Sequence, residues 1–72
     1  MTIIKNVNTR KEAVQLVKKV YDQDGCGGLM NRGLTFSGSV LTAIAKKTES
    51  GWTVSLSSTY YVESTLQSIL AD

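Results

Sequence analysis

The sequence predicts an α+β fold, a small two-layer sandwich of order (β)-α-β-β(-β)-α whose antiparallel sheet has both helices on one face. Three observations indicate this fold. Residues 10–22 have an amphipathic helical period, residues 39–58 alternate between apolar and polar side chains, and helical spacing returns over residues 60–72. A sheet with one apolar face, covered there by two helices, buries the apolar side of all these elements at once.

Length and composition limit the class of protein. The chain has 72 residues, so residues 1–72 are expected to form a single globular domain. One cysteine and no histidine exclude an internal disulfide and the commonest zinc ligand. No apolar run approaches the ~20 residues that span a bilayer, and the first residues, MTIIKNVNTRKEA, lack the apolar region of a signal peptide. A cytoplasmic protein is therefore expected.

The first helix has start and stop signals of its own. Thr9 and Glu12 have the spacing of a capping box, in which side chains bond the backbone N–H groups at the helix start. Gly25 stands where a left-handed residue ends many helices. The apolar positions between them share one arc, and they are Ala13, Val14, Leu16, Val17, Val20 and Tyr21. The pattern predicts a helix over about residues 10–22 that ends near Asp22–Asp24.

The period changes to that of strands after residue 33. Leu34, Phe36, Val40, Thr42 and Ile44 share one parity, which predicts a half-buried strand whose inner side chains are these residues. Gly38 interrupts the series and predicts a bulge, a bend or a tight turn between two short strands. A hairpin is expected from strands over residues 39–47 and 52–58, joined by a loop of three or four residues that includes Gly51.

The two ends of the chain give weaker signals. Met1–Lys5 could form a short edge strand. In the last segment Val62, Leu66, Ile69 and Leu70 cluster at helical spacing, and the Ser and Thr residues at 57–59 are candidate N-caps. A second helix is therefore expected near the end of the chain.

The stretch YDQDGCGGLMNRG, residues 21–33, has features that occur in nucleotide-binding loops, in calcium-binding loops and around catalytic thiols. A phosphate loop precedes its helix, whereas these glycines follow one. Asp22 and Asp24 begin like an EF-hand loop, but the twelfth position is Gly33 instead of the required glutamate. Cys26 has no histidine to activate it and is interpreted as a small side chain in a tight loop. No catalytic, cofactor-binding or metal-binding residue is predicted, and the protein is expected not to be an enzyme.

Protein binding is the function that the sequence favours. Tyrosine, methionine and arginine are enriched in interface cores, so the candidate partner-binding residues are Leu29, Met30, Arg32, Tyr60 and Tyr61. The Leu29–Met30 pair either returns to the core or forms an exposed anchor. The expected role is that of a small accessory, adaptor or inhibitor protein, of a kind found among bacterial and phage accessory proteins. A homodimer formed by strand or helix pairing is a further expectation, through a sheet edge or the strand 52–58.

Nucleic-acid binding is the alternative. The order of elements is similar to that of double-stranded-RNA-binding domains, but where those carry lysines at the start of the last helix this chain reads STYYVEST. The candidate phosphate-binding residues are Lys11, Lys18, Lys19, Lys46 and Lys47. They could contact one backbone together only if the first helix and the hairpin tip present them on the same side.

Overall fold

The elements form one sheet and two helices, and they confirm the α+β fold. The computed structural model describes residues 1–25 and 27–71; Cys26 and Asp72 lie outside the described residues, so the interpretation of Cys26 stays a prediction. The elements are β1 (Thr2–Val7), α1 (Arg10–Asp24), β2 (Gly28–Met30), a 3₁₀ turn (Asn31–Gly33), β3 (Thr35–Ser37), β4 (Thr42–Thr48), β5 (Gly51–Ser57) and α2 (Glu63–Leu70). None of the helices in the described part of the chain is both long and apolar enough to cross a membrane.

The five strands form one antiparallel sheet in the order β1-β5-β4-β3-β2. The first and last strands of this order, β1 and β2, are its edges. β5 is an interior strand, paired with β1 on one side and β4 on the other. The suggestion that strand 52–58 could pair with a second copy is therefore wrong, because both of its backbone edges are already in use.

Helix α1 begins and ends as its cap residues predict. The Glu12 backbone N–H donates to Thr9 Oγ1 at 3.2 Å, and the Thr9 hydroxyl lies 3.1 Å from Glu12 Oε1. At the other end Gly25 has φ +79° and its N–H donates to Tyr21 O at 2.9 Å. The helix extends to Asp24, directly before the glycine cap, as the position of Gly25 predicts.

Side chains from both helices and from the sheet form one hydrophobic core. Helix α1 buries Ala13, Leu16, Val17 and Val20, helix α2 buries Leu66 and Leu70, and the sheet and its connections bury Phe36, Leu41, Ala43, Ala45, Val54 and Leu56. The members are mostly small and medium aliphatic residues, as expected of a chain that can bury only a modest core.

The predicted inner face of β4 is wrong. Ala43 and Ala45 are buried, whereas Ile44 is 37% exposed. The cause is the register of the β3–β4 hairpin, in which Phe36 lies opposite Ala43. Directly opposed residues share a face of the sheet, so an even-numbered inner residue on β3 requires odd-numbered inner residues on β4. The turn at residues 38–41 thus reverses the parity of inner side chains between β3 and β4.

Two connections also differ from expectation. Residues 28–30, for which the sequence pattern predicts no strand, form the short edge strand β2 against β3. The β4–β5 loop holds two residues rather than three or four, because Thr48 pairs with Gly51. Gly51 has φ +153°, and a Cβ there would lie 2.5 Å from Val7 O, so β1 passes too close for any larger residue.

The N-cap expected for the second helix among residues 57–59 is wrong. Val62 occupies the N-cap position of α2 and makes no side-chain cap hydrogen bond. The hydroxyl of Ser58 instead accepts from the N–H groups of Tyr60 and Tyr61, both at 3.0 Å, and donates to Val40 O at 2.7 Å. Ser58 therefore fixes the turn that leads into α2 rather than the helix start itself.

Candidate protein-binding surface

The side of the sheet opposite the buried side chains carries exposed and half-buried residues, and we call it the outer sheet face. Its side chains alternate with the buried ones along each strand, and the register sorts them into rows across the sheet. The rows are Thr2–Ser57–Thr42–Ser37–Gly28, Ile4–Ser55–Ile44–Thr35–Met30 and Asn6–Thr53–Lys46. The second of these is called the central row.

The central row carries the large apolar side chains of the outer sheet face. Ile4 is 64% exposed, Met30 51% and Ile44 37%. They belong to three different strands and are separated by the short polar side chains of Ser55 and Thr35. Ile4 and Ile44 are β-branched and stiff at χ1, so they lose little freedom on contact with a partner and their desolvation can contribute directly to binding.

The outer sheet face is nearly uncharged. Lys46 is the only charged residue in the three rows, and the others apart from the central apolar ones are small or hydroxyl- and amide-bearing. Some of these polar side chains are ordered by their neighbours: Thr53 Oγ1 donates to Asn6 Oδ1 at 3.1 Å, and the hydroxyls of Thr2 and Ser57 lie 3.1 Å apart. A low density of charged side chains around exposed apolar groups is typical of the core of a protein interface.

The predicted contact residues Leu29, Met30 and Arg32 lie at the β2 edge but do not share a face. Leu29 is opposite the buried Phe36, so it lies on the helix side of the sheet, whereas Met30 is opposite Thr35 on the outer sheet face. Leu29 is 43% exposed, so neither apolar residue returns fully to the core. Arg32 follows in the turn, with φ +60°. Only Met30 joins the candidate surface.

Tyr60 and Tyr61 form a separate aromatic pair. Their rings meet edge to face with centroids 5.0 Å apart; Tyr60 is 73% exposed, and Tyr61 packs against the core. They follow β5, which lies three strand positions from β2 in the sheet, roughly 14 Å at ordinary strand spacing. The structure therefore does not bring the five predicted contact residues together into one site.

The lysines of the nucleic-acid alternative lie on two sides of the molecule. Lys11 and Lys18 are exposed on α1, which covers the inner side of the sheet, whereas Lys46 extends from the outer sheet face. Lys47 lies opposite Trp52 at the end of the hairpin. The Lys19 ammonium donates to Ala71 O, so it is engaged at the end of α2. The lysines therefore do not lie on one side of the molecule, as contact with a single nucleic-acid backbone would require.

Within residues 1–25 and 27–71 there is no group of three or more His, Cys, Asp or Glu side chains that could hold a metal ion. Asp24, one of the two aspartates with EF-hand spacing, accepts a hydrogen bond from Ser39 Oγ at 3.1 Å. That contact ties the end of α1 to the β3–β4 turn.

Comparison with protein-family models, with curated proteins and with solved structures finds no match to this chain.

Proposed function

We propose that this protein is a non-catalytic, cytoplasmic domain that binds another protein stoichiometrically, as accessory, adaptor and inhibitor proteins do. The observation that carries the proposal is the central row of the outer sheet face. It presents Ile4, Ile44 and Met30 to solvent on a nearly uncharged surface. The row is poor in charge, and several exposed apolar side chains on one face of a sheet are a candidate contact surface for a partner.

The shape of the surface supports a macromolecular partner. Side chains of five strands contribute to it, and none of the three rows contains an aromatic ring on which a nucleobase could stack. The hydroxyl groups of Ser55 and Thr35 can donate or accept hydrogen bonds between the apolar contacts. A partner is expected to present an apolar patch of its own, with few charged groups at its centre.

The test is a charge placed at the centre of the row, compared with the same change elsewhere. Ile44→Lys is expected to weaken partner binding at least about tenfold, because an ammonium would be desolvated at the centre of the contact. Val62→Lys is the matched control, since Val62 is 63% exposed but lies at the start of α2, away from the sheet face. A partner is first identified by capture on the immobilised protein, and affinities for both variants are then measured by titration calorimetry.

Two outcomes would contradict the proposal. Equal affinities for Ile44→Lys and Val62→Lys would show that the outer sheet face is not the binding surface. Retention of duplex or single-stranded nucleic acid at ~50 mM salt, lost in Lys11→Glu/Lys18→Glu, would favour the nucleic-acid alternative, because counterion release makes such binding strongest at low salt.

A further inference from the structure

The two edges of the sheet are built differently. β2 is three residues long, Gly27 with φ +114° precedes it, and Asn31 and Arg32, both with positive φ, follow it. β1 is six residues long, and each of its residues from Thr2 to Val7 pairs with one residue of β5, without a bulge. A short strand and an interrupted backbone commonly prevent an edge strand from pairing with another chain. β2 has both of these features, and β1 has neither.

The backbone groups of β1 that point away from the sheet can be identified. Met1 and Ser58 exchange both hydrogen bonds, with N···O distances of 3.0 and 3.1 Å. In an antiparallel ladder such pairs recur at every second residue, so Ile3, Lys5 and Val7 bond to β5. Thr2, Ile4 and Asn6 therefore direct their N–H and C=O groups outward, where no hydrogen bond within the described part of the chain uses them.

β1 does carry one residue of a kind that discourages strand pairing, but its side chain is already hydrogen-bonded within the chain. Lys5 is a charged residue on an edge strand, a common guard against pairing. Its side chain lies on the helix side of the sheet, and its ammonium donates to Leu70 O at 2.8 Å, at the end of α2. The outward backbone groups of β1 thus stay accessible to a second strand.

We propose that β1 pairs with β1 of a second copy of this chain, antiparallel about a two-fold axis at Ile4, to make one continuous ten-stranded sheet. In this register Ile4 pairs with Ile4 of the second copy, and Thr2 pairs with Asn6 in both directions. These are three hydrogen-bonded pairs with two hydrogen bonds each, so all the outward groups of Thr2, Ile4 and Asn6 are satisfied.

The side chains of β1 favour this register over its neighbours. Lys5 falls opposite Ile3 of the second copy, whereas a shift of two residues places Lys5 opposite Lys5, and like charges in that position are destabilising. A shift in the other direction forms only two hydrogen-bonded pairs within β1. The Thr2–Asn6 pair repeats a contact that the sheet already makes, since Thr53 Oγ1 donates to Asn6 Oδ1 across β1 and β5.

The surroundings of β1 accommodate the second strand. A groove of about 300 Å³ runs between β1 and α2, lined by Ile3, Ile4, Lys5, Gln67, Leu70 and Ala71. In the proposed dimer the second copy's Ile3 lies beside the methylenes of Lys5, at this groove. On the other side of the sheet Ile4 meets Ile4, so the central row continues without a break from one copy into the other. The net charge of +2 per chain opposes this association only weakly.

Cysteine cross-linking tests the register directly. In a Cys26→Ser background, Ile4→Cys places two thiols at the two-fold axis, with Cα atoms about 5.5 Å apart, within disulfide range. Asn6→Cys is the matched control on the same strand and face, where the two Cα atoms are four residues and about 14 Å apart. Mild oxidation is expected to give a covalent dimer at least about tenfold faster with Ile4→Cys than with Asn6→Cys.

A proline at position 4 tests the pairing itself. The Ile4 N–H points away from β5, so Ile4→Pro removes two intermolecular hydrogen bonds while it leaves the ladder to β5 intact. It is expected to raise the dimer dissociation constant about tenfold or more relative to Ile4→Ala, as measured by sedimentation equilibrium over a concentration series. Circular dichroism on both variants confirms that they fold.

The outcomes separate cleanly. A protein that is monomeric at every concentration, equal cross-linking of Ile4→Cys and Asn6→Cys, or a dimer unaffected by Ile4→Pro would each overturn the proposed pairing. A monomer whose β1 edge instead takes an extended segment of another protein would overturn it as well. None of these results bears on Ile44→Lys, so the failure of the dimer and of the proposed binding surface can be told apart.

Discussion

Ser58 holds three backbone groups with one hydroxyl. It is the only buried polar residue within the part of the chain that the structure describes. Its Oγ donates to Val40 O and accepts from the N–H groups of Tyr60 and Tyr61, so it joins the β3–β4 turn to the turn before α2. A buried hydroxyl with a full set of partners stabilises the fold chiefly because its removal would leave those partners unsatisfied.

Replacing this hydroxyl is expected to be costly. Ser58→Ala should lower the free energy of unfolding by about 2–3 kcal/mol, because buried backbone groups lose their hydrogen bonds. Ser57→Ala is the neighbouring control: its hydroxyl lies on the outer sheet face beside Thr2 Oγ1, at a half-buried position, and the change should stay within about 0.5 kcal/mol. Urea denaturation measures both values. Similar losses in the two variants would mean that the Ser58 contacts do not stabilise the fold.

At the scale of elements, α2 depends on its neighbours. It has eight residues, fewer than the roughly 12 that an isolated helix needs, and its N-cap residue Val62 makes no side-chain hydrogen bond. Its last turn contains no basic residue. The cations at its C-terminal end come from β1 and α1, where the ammonium groups of Lys5 and Lys19 donate to Leu70 O and Ala71 O. These lysines complement the negative end of the helix dipole.

Removal of one of these ammonium groups should loosen α2. Lys5→Met keeps the methylenes of the side chain but loses the hydrogen bond to Leu70 O, and we expect a loss of about 0.5–1.5 kcal/mol in unfolding free energy. Lys18→Met, on the exposed face of α1, is the control and should have little effect. The difference between the two variants should shrink in ~1 M salt, which screens the dipole interaction. Thermal denaturation at low protein concentration measures this difference in stability. If the difference did not depend on salt, the loss of stability in Lys5→Met would be due to packing.

For the whole molecule, stability is expected to be unequal across the sheet. β5 is paired on both sides and buries Val54 and Leu56, whereas β2 is paired on one side and all three of its residues are exposed. Regions with few buried contacts open locally, without unfolding of the whole domain. β5 and β4 are thus expected to be the most stable strands, and β2 is expected to detach from the sheet first.

Amide hydrogen exchange can measure this gradient. The N–H groups of Val54 and Leu56 should exchange only through global unfolding, and those of Leu29 and Met30 should exchange at least about a hundredfold faster. The difference in denaturant dependence between the two groups serves as an internal control, since global opening exposes far more surface than local opening. Equal protection of β2 and β5 would show that the sheet opens as one unit.

The parts of the fold that could be predicted from the sequence are those with local causes. Thr9 and Gly25 define α1 by hydrogen bonds within a few residues, and the alternation from Trp52 to Leu56 defines β5. The face of β4 could not be predicted in this way, because it depends on the number of residues in the turn between Ser37 and Thr42. A strand of three residues that begins with glycine, such as β2, has too short a pattern to be recognised.

The candidate surface was less accessible to sequence reasoning for a related reason. The central row joins residues that are far apart along the chain, from Ile4 to Ser55, and only the register aligns them. Met30 is the one predicted contact residue that belongs to it. The adjacent Ile3 and Ile4 were a usable signal, since neighbours on a strand point to opposite faces and one of the two had to face solvent.

The difference between the two edges of the sheet also decides where self-assembly stops. A chain with two accessible edges could add copies at both ends and grow into a fibre, whereas a two-fold contact at one edge consumes that edge in both copies. The strands left at the ends of such a pair are the short, interrupted β2 strands. Growth would therefore end at two molecules. The positive φ angles at Gly27, Asn31 and Arg32 interrupt the backbone on both sides of β2, so the exposed apolar row would not lead to aggregation through further strand pairing.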